Sequence, residues 1–322
     1  MALLDRSLEE NNVAHAYLLV GPHHVGKKTL ALNLAQALNC DGLKPPCSQC
    51  SSCRRILEHK HADVTFTGLD SKTEIGIDDI RGLQHLANLP PYEGKCKVFI
   101  IEDAEYLSTE AANSLLKILE GPPPKIVWLL LTAEESRLLP TIISRCQRLE
   151  LKPIPLKQIQ QILVDSYNVD LDKANFLARL CHGCLGWALS SLASDEILEQ
   201  RVQKITKLSS LTSASLEQRF AYAQELASQF SQNRRSVAEV MEIWLGWWRD
   251  LMLIKGGCKE AITNIDYEMA LEKQAQSLSL NEIKELLANL YLVQEEISKN
   301  VNPRLVVESL MLNLPRRENP KH

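Results

Sequence analysis

The chain has 322 residues, 45% of them hydrophobic and 24% charged, with a formal net charge of −4. This is globular composition, far from disorder and long enough to bury large cores without disulfide staples. The acidic balance argues against a large electrostatic footprint on nucleic acid. No apolar run approaches the roughly 20 residues of a membrane span, and Met1 to Glu10 carries charges where a signal peptide needs an apolar core, so a cytoplasmic protein is expected.

Tyr17-Leu18-Leu19-Val20 reads as a short strand ending at Gly21, and Lys28 to Asn39 repeats apolar residues at helical spacing. Between them lies Gly21-Pro22-His23-His24-Val25-Gly26-Lys27-Lys28-Thr29, a phosphate-binding loop in its proper strand-to-helix setting. Glycine permits the turn, backbone N–H groups face an anion at a helix N-terminus, and Lys27 neutralises the outer phosphates. One position departs. Lys28 stands where a Ser or Thr hydroxyl reaches Mg²⁺, and Thr29 is rotated about 100° round the helix from that place. ATP and Mg²⁺ are therefore expected to bind weakly or not at all.

Four of the nine cysteines follow at once, as Cys40-x6-Cys47-x2-Cys50-x2-Cys53. Four thiolates at this spacing suit a closed, tetrahedral structural zinc site, with an iron–sulfur cluster as the alternative. Val98-Phe99-Ile100-Ile101 is a second strand, too continuously apolar to expose a face. It runs into Glu102 and Asp103, carboxylates at the positions where a phosphate-loop ATPase keeps its magnesium aspartate and catalytic glutamate, but in inverted order. The other reading is a solvated pair ending a strand. Ser108 to Glu120 reads as a helix with Ser108 as N-cap, stopped by Gly121-Pro122, and Val127 to Leu131 as a third strand.

Pro153 and Pro155 mark a break, after which the pattern is helical. Short helices to about Leu208, with a turn at His182-Gly183, precede a Ser/Thr-rich stretch, Ser209 to Ser215, that reads as a linker. Beyond it Trp244, Trp247 and Trp248 share one helix face, a spacing that suits core packing.

Taken in order, several segments resemble the bacterial clamp-loader branch of the AAA+ ATPases. They are His15-Ala16-Tyr17-Leu18, the phosphate loop, the four-cysteine insertion, His61-Ala62-Asp63-Val64 and Ile80-Arg81. Lys97-Val98-Phe99-Ile100-Ile101, Ala111-Ala112-Asn113-Ser114-Leu115-Leu116-Lys117, Ser144-Arg145-Cys146 and Asn300-Val301-Asn302-Pro303-Arg304-Leu305 continue the series. The resemblance implies an α/β AAA+ P-loop domain with a parallel sheet at 1–152. A small helical lid at 153–208 and an all-α, oligomerising collar at 209–322 would follow.

It also implies that Arg145 is a finger acting in trans on a neighbour's ATP, and that Thr132 holds the place of the polar sensor. The bland alternatives are a strand-end arginine paired with a local carboxylate such as Glu102, and a sheet-end hydroxyl. Gly186 stands where motor subunits carry a second sensor arginine. With fourteen residues ahead of His15, the segment that closes over adenine is expected to be short. These departures point to a non-motor subunit with negligible ATP hydrolysis of its own, in a polymerase holoenzyme whose nucleotidyl transfer is done elsewhere. Its expected partners are motor subunits and a clamp-opening subunit in a hetero-oligomeric ring, and through them the sliding clamp and primed DNA. The alternative is an ATP-hydrolysing motor subunit.

Overall fold

The computed structural model describes residues 2–10, 12–69, 72–232, 234–298 and 302–315. The chain divides into two units, Met1–Ile154 with Cys184–Gly186, and Pro155–Gly183 with Trp187–His322. The first contains α1 (Ala2–Glu9), β1 (Ala16–Val20), α2 (Lys27–Asn39), α3 (Ser51–Leu57), β2 (Val64–Thr67) and α4 (Ile77–Ala87). It continues with β3 (Lys97–Ile101), α5 (Thr109–Glu120), β4 (Ile126–Thr132), α6 (Pro140–Ile143) and β5 (Gln147–Glu150). The strands form one parallel sheet in the order β2-β3-β4-β1-β5.

The three inner strands are buried along their whole length, as unbroken apolar runs require when helices cover both faces. Alternation along each strand divides the core in two. Leu18, Phe99, Ile101, Trp128 and Leu130 pack with α4 and α5 residues such as Ile80 and Leu115, and Phe99 stacks on Trp128 with centroids 4.4 Å apart. Tyr17, Leu19, Val98, Ile100 and Leu129 pack on the other face with Ala31, Leu34 and Ile56. The Ser108 hydroxyl accepts the Ala111 N–H at 3.1 Å and starts α5 where the sequence places it.

The second unit is helical: α7 (Leu156–Tyr167), α8 (Leu171–Leu180), α9 (Leu185–Ala193, whose first residues group with the first unit), α10 (Glu196–Ser213), α11 (Leu216–Gln232), α12 (Arg234–Lys255), α13 (Glu268–Ser277), α14 (Leu280–Ser298) and α15 (Pro303–Asn313). Trp244, Trp247 and Trp248 are all buried in its core, and Trp247 donates to Gln274 at 3.1 Å. The fully buried Arg219 donates to the carbonyls of Leu211, Thr212, Met311, Leu314 and Pro315, tying α10 and α11 to the end of α15.

One expected feature differs. Ser209 to Ser213 is not a linker but the last turn and a half of α10. Its hydroxyls turn back on their own helix, Ser210 to Lys207 O, Thr212 to Ser209 O and Ser213 to Ser210 O, while Leu208 and Leu211 anchor the apolar side. The chain breaks only at Ala214-Ser215. Asn300 and Val301 lie outside the described residues. Asn302 caps α15 by accepting the Arg304 N–H, with Pro303 in the first turn, so this part of the late motif is a helix start.

Candidate functional site

Sheet register gathers one set of candidates. Val20 lies opposite Thr132 and Ile101 opposite Leu130, so Gly21, Glu102 and Thr132 come together at the carboxyl edge of the sheet. Gly21 has no room for a side chain, since a Cβ there would stand 2.4 Å from the Leu151 carbonyl oxygen. Its N–H donates to Thr132 O at 3.1 Å. Gly26, the N-cap of α2, sits at φ 109°, a left-handed conformation that favours glycine. These contacts set the loop between β1 and α2.

Its lysines make specific contacts. Lys27 Nζ donates to the carbonyls of Gly21 and Pro22, so a phosphate entering the loop has to take over those hydrogen bonds. Lys28 Nζ meets Glu102 Oε1 at 2.8 Å. Thr29 is exposed in the first turn of α2. Asp103 follows with φ 52°, leaving the strand in the left-handed region. Thr132 is fully buried, and its hydroxyl accepts the Glu134 N–H at 3.1 Å, the bond of a sheet-end turn. Gly186, which groups with this unit, donates its N–H to His24 O at 3.0 Å. Magnesium in phosphate-loop sites rests on the hydroxyl after the loop lysine and on a strand-end carboxylate. Here an ammonium holds the carboxylate and no hydroxyl is supplied. These residues do not fit a magnesium ion.

The four cysteines gather at the other end of α2. Cys40 is the C-cap of α2 and Cys50 the N-cap of α3. The four Sγ atoms lie within 4.8 Å of one another, near the roughly 3.8 Å sulfur–sulfur edge of a tetrahedral zinc–thiolate centre. Backbone N–H groups already point at the sulfurs: Gly42 and Cys47 at Cys40, Cys50 at Cys47, and Cys53 at Cys50, at 3.3–3.4 Å. The N–H groups of Gln49 and Cys50 bring the Cys47 thiol down to about 6, and that of Asp41 leads in lowering Cys50. Burial pushes Cys53 up to about 12. The donor set fits a metal ion.

The surroundings brace this module. Gln36 donates to Cys53 O at 2.8 Å, and Asn39 accepts the N–H groups of Lys95 and Cys96. His61 Nδ1 accepts the Asp63 N–H, so Nε2 carries a hydrogen and faces Ser52 Oγ at 3.1 Å, beside Cys53. The Asp63 carboxylate accepts three N–H groups, of Tyr92, Glu93 and Gly94, at 2.7–2.8 Å. Burial works against its charge, but those donors outweigh it and hold Asp63 below the usual carboxylate range. The His61-Ala62-Asp63-Val64 segment is thus a brace between the cysteine module and the loop before β3.

Arg145 lies just after α6, two residues ahead of β5. Because Tyr17 pairs with Gln147, the first residue of β5, the turn that holds Arg145 lies at the amino edge of the sheet. Gly21 lies at the opposite, carboxyl edge, four residues and about 13 Å of strand rise beyond Tyr17. Arg145 donates to Thr141 O at 2.9 Å and to Glu120 Oε1 at 2.8 Å, and its side chain is 34% exposed. The local carboxylate is therefore Glu120, at the end of α5, and not Glu102, which Lys28 holds. Sequence reading gave no sign of this pair, since nothing in the spacing brings α5 to the segment after α6. It also gives no role to Glu105, a buried carboxylate that accepts the Ala133 N–H at 3.0 Å and steadies the turn after β4.

Comparison with known proteins gives a consistent neighbourhood. A family model described as DNA polymerase III, delta subunit, matches residues 1–155, and one described as its C-terminal part matches residues 195–316. The DNA polymerase III subunit delta′ of Bacillus subtilis is 31% identical over 98% of this chain and 94% of its own length. The tau subunit of the same organism is 25% identical over 97% of this chain, which spans 59% of that longer protein. Among solved structures, a gamma subunit-related protein of DNA polymerase III from Thermotoga maritima aligns over 96% of this chain and 97% of its own, with 18% identity and a TM-score of 0.43.

Proposed function

Because this chain belongs to the family of DNA polymerase III delta-prime subunits, we propose that it is the stator of a sliding-clamp loader in DNA replication, a fixed ring member that presents Arg145 to a neighbour's ATP. The observation that carries this reading is the match along almost the whole of both chains, 98% of this one and 94% of the delta-prime subunit. The ring would join it to motor subunits and a clamp-opening subunit in the cytoplasm, with the sliding clamp and primed DNA reached through them. Residues 153–208 would serve as the lid and 209–322 as the collar through which the ring assembles.

The residues divide the labour accordingly. Arg145 stands at the amino edge of the sheet, the end away from the chain's own loop, with its side chain partly exposed, a position suited to serving another subunit. A planar, permanently charged guanidinium suits the developing charge of phosphoryl transfer. Gly21, Gly26 and Lys27 keep a phosphate-accepting turn, while Lys28, Glu102 and Asp103 lack the arrangement for hydrolysis. Cys40, Cys47, Cys50 and Cys53 would hold one structural zinc, which ties the end of α2 to α3 and has no part in catalysis.

The tau match keeps a second reading in view, an ATP-hydrolysing motor. The two are separated by tagging the chain, identifying what copurifies by mass spectrometry, and assaying ATP turnover of the purified chain. Recovery of motor and clamp-opening subunits with negligible turnover supports the stator. Steady turnover abolished by Lys27→Ala supports the motor.

A further inference from the structure

The residue after the loop lysine and the carboxylate ending a nearby strand of the same sheet are the two protein groups that flank magnesium in a phosphate-loop site. In this chain they are Lys28 and Glu102, and they touch, Nζ to Oε1 at 2.8 Å. Both are set by firm backbone. Glu102 donates its N–H to Thr67 O at 2.7 Å as β3 ends, and Lys28 lies in the first turn of α2, next to the glycine-capped start. On one side the Lys28 ammonium has the Phe66 ring, 5.9 Å to the centroid. A Cβ at Gly68 would be 3.3 Å from Glu102 Cβ, so the chain after β2 packs against the base of the Glu102 side chain.

Magnesium demands about six oxygen ligands at about 2.0–2.1 Å in octahedral array. Lysine offers none, and its positive charge repels a second cation from the same carboxylate. We propose that the Lys28 ammonium is a built-in replacement for the magnesium ion: it sits against Glu102 in the place the metal would take, so that the loop of this chain gains nothing from a divalent cation. The metal seat is taken, not merely missing a ligand. A single substitution that withdraws the ammonium and returns a hydroxyl, Lys28→Thr, then restores a magnesium seat made of that hydroxyl and Glu102. This inference concerns the loop alone and stands apart from the ring assignment, so its failure leaves the stator reading intact.

The test measures binding of a fluorescent ATP analogue to the full chain, wild type and Lys28→Thr, in magnesium and in EDTA. Lys28 is half exposed, so the change spares the core; circular dichroism checks the fold, and Lys28→Ser is the second hydroxyl variant. The expected result is a wild-type signal that is the same in both buffers, absent or present, and a Lys28→Thr signal at least about tenfold tighter in magnesium. Wild-type binding that magnesium strengthens by that factor overturns the proposal. So does a folded hydroxyl variant whose binding, or lack of it, ignores magnesium.

Discussion

The two ends of α2, a helix of 13 residues, do opposite things with a cation. At its start, Gly26-Lys27-Lys28 follows a turn shaped for phosphate, yet Lys28 occupies the carboxylate a metal would need. At its end, Cys40 joins three further thiols gathered for a metal, with N–H donors already aimed at the sulfurs. The difference lies in what each task tolerates. Phosphoryl transfer needs a hydroxyl, a carboxylate and a metal placed within about 1 Å, and one substitution undoes it. A structural centre needs four thiols and a brace, which α2, α3 and the Asp63 loop supply. In this chain the helix positions things at both ends, but only the cysteine end is equipped to bind an ion.

The largest effect should come from breaking the cysteine end. Metal analysis of protein purified under reducing conditions without chelator should return one zinc per chain. Cys53→Ser should lose it and melt the segment from Cys40 to Leu57, because structural zinc binding is folding free energy, on the order of 10 kcal/mol in small zinc modules. Protein free of zinc under those conditions would overturn the module.

Next in size is the test of the loop end's counterpart. If the chain's own loop is idle, its contribution to turnover has to leave through Arg145. Arg145→Ala should leave the ring assembled and slow hydrolysis by the reconstituted loader about 10³-fold or more, with little rescue by lysine. The same variant should cost the isolated chain under about 1 kcal/mol, since the pair with Glu120 is solvent-exposed. Unfolding would make the arginine a strut between α5 and α6, and unchanged turnover would remove the finger.

Asp63 tests whether the cysteine end depends on its brace. Asp63→Ala strips three N–H groups of their acceptor and should cost about 2–4 kcal/mol in thermal unfolding. The sign with pH follows from the direction of the shift. A carboxylate held below its unfolded value of about 3.9 stabilises the fold above that pH, and the contribution fades as pH falls through the folded pKa. Wild type and Asp63→Asn should therefore converge in stability only under strongly acid conditions. A constant gap down to that range would show that the charge is not what the three donors need.

What the sequence made legible follows the same division. The inner strands, α2, α5 with its Ser108 cap, and the tryptophan core rest on apolar periodicity and local caps, and these are readable. β2 and β5 are edge strands with polar alternation, Val64-Thr65-Phe66-Thr67 and Gln147-Arg148-Leu149-Glu150, and look like loop until a neighbour pairs with them. Ser209 to Ser213 read as linker because hydroxyls favour turns, but here they bond back along a helix that Leu208 and Leu211 bury. The Glu120 partner of Arg145 and the Lys28–Glu102 contact belong to tertiary structure alone. Spacing marked Lys28 as a departure, but only the sheet register brings it to Glu102.

The smallest effect decides what Lys28 is for. Its ion pair with Glu102 is partly solvated, with side chains 49% and 28% exposed. Such pairs contribute about 0.2–1 kcal/mol, because water screens the attraction and ordering a long side chain offsets part of it. A double-mutant cycle of Lys28→Met and Glu102→Gln should therefore return a coupling in that range, and high salt should shrink it further. A value near 2 kcal/mol or more would mean that the pair is a structural strut between α2 and β3. Lys28 would then be explained by folding, and the contrast between the two ends of α2 would lose its force. A small, salt-sensitive coupling leaves occupation of the metal seat as the consequence of this lysine that the fold itself does not require.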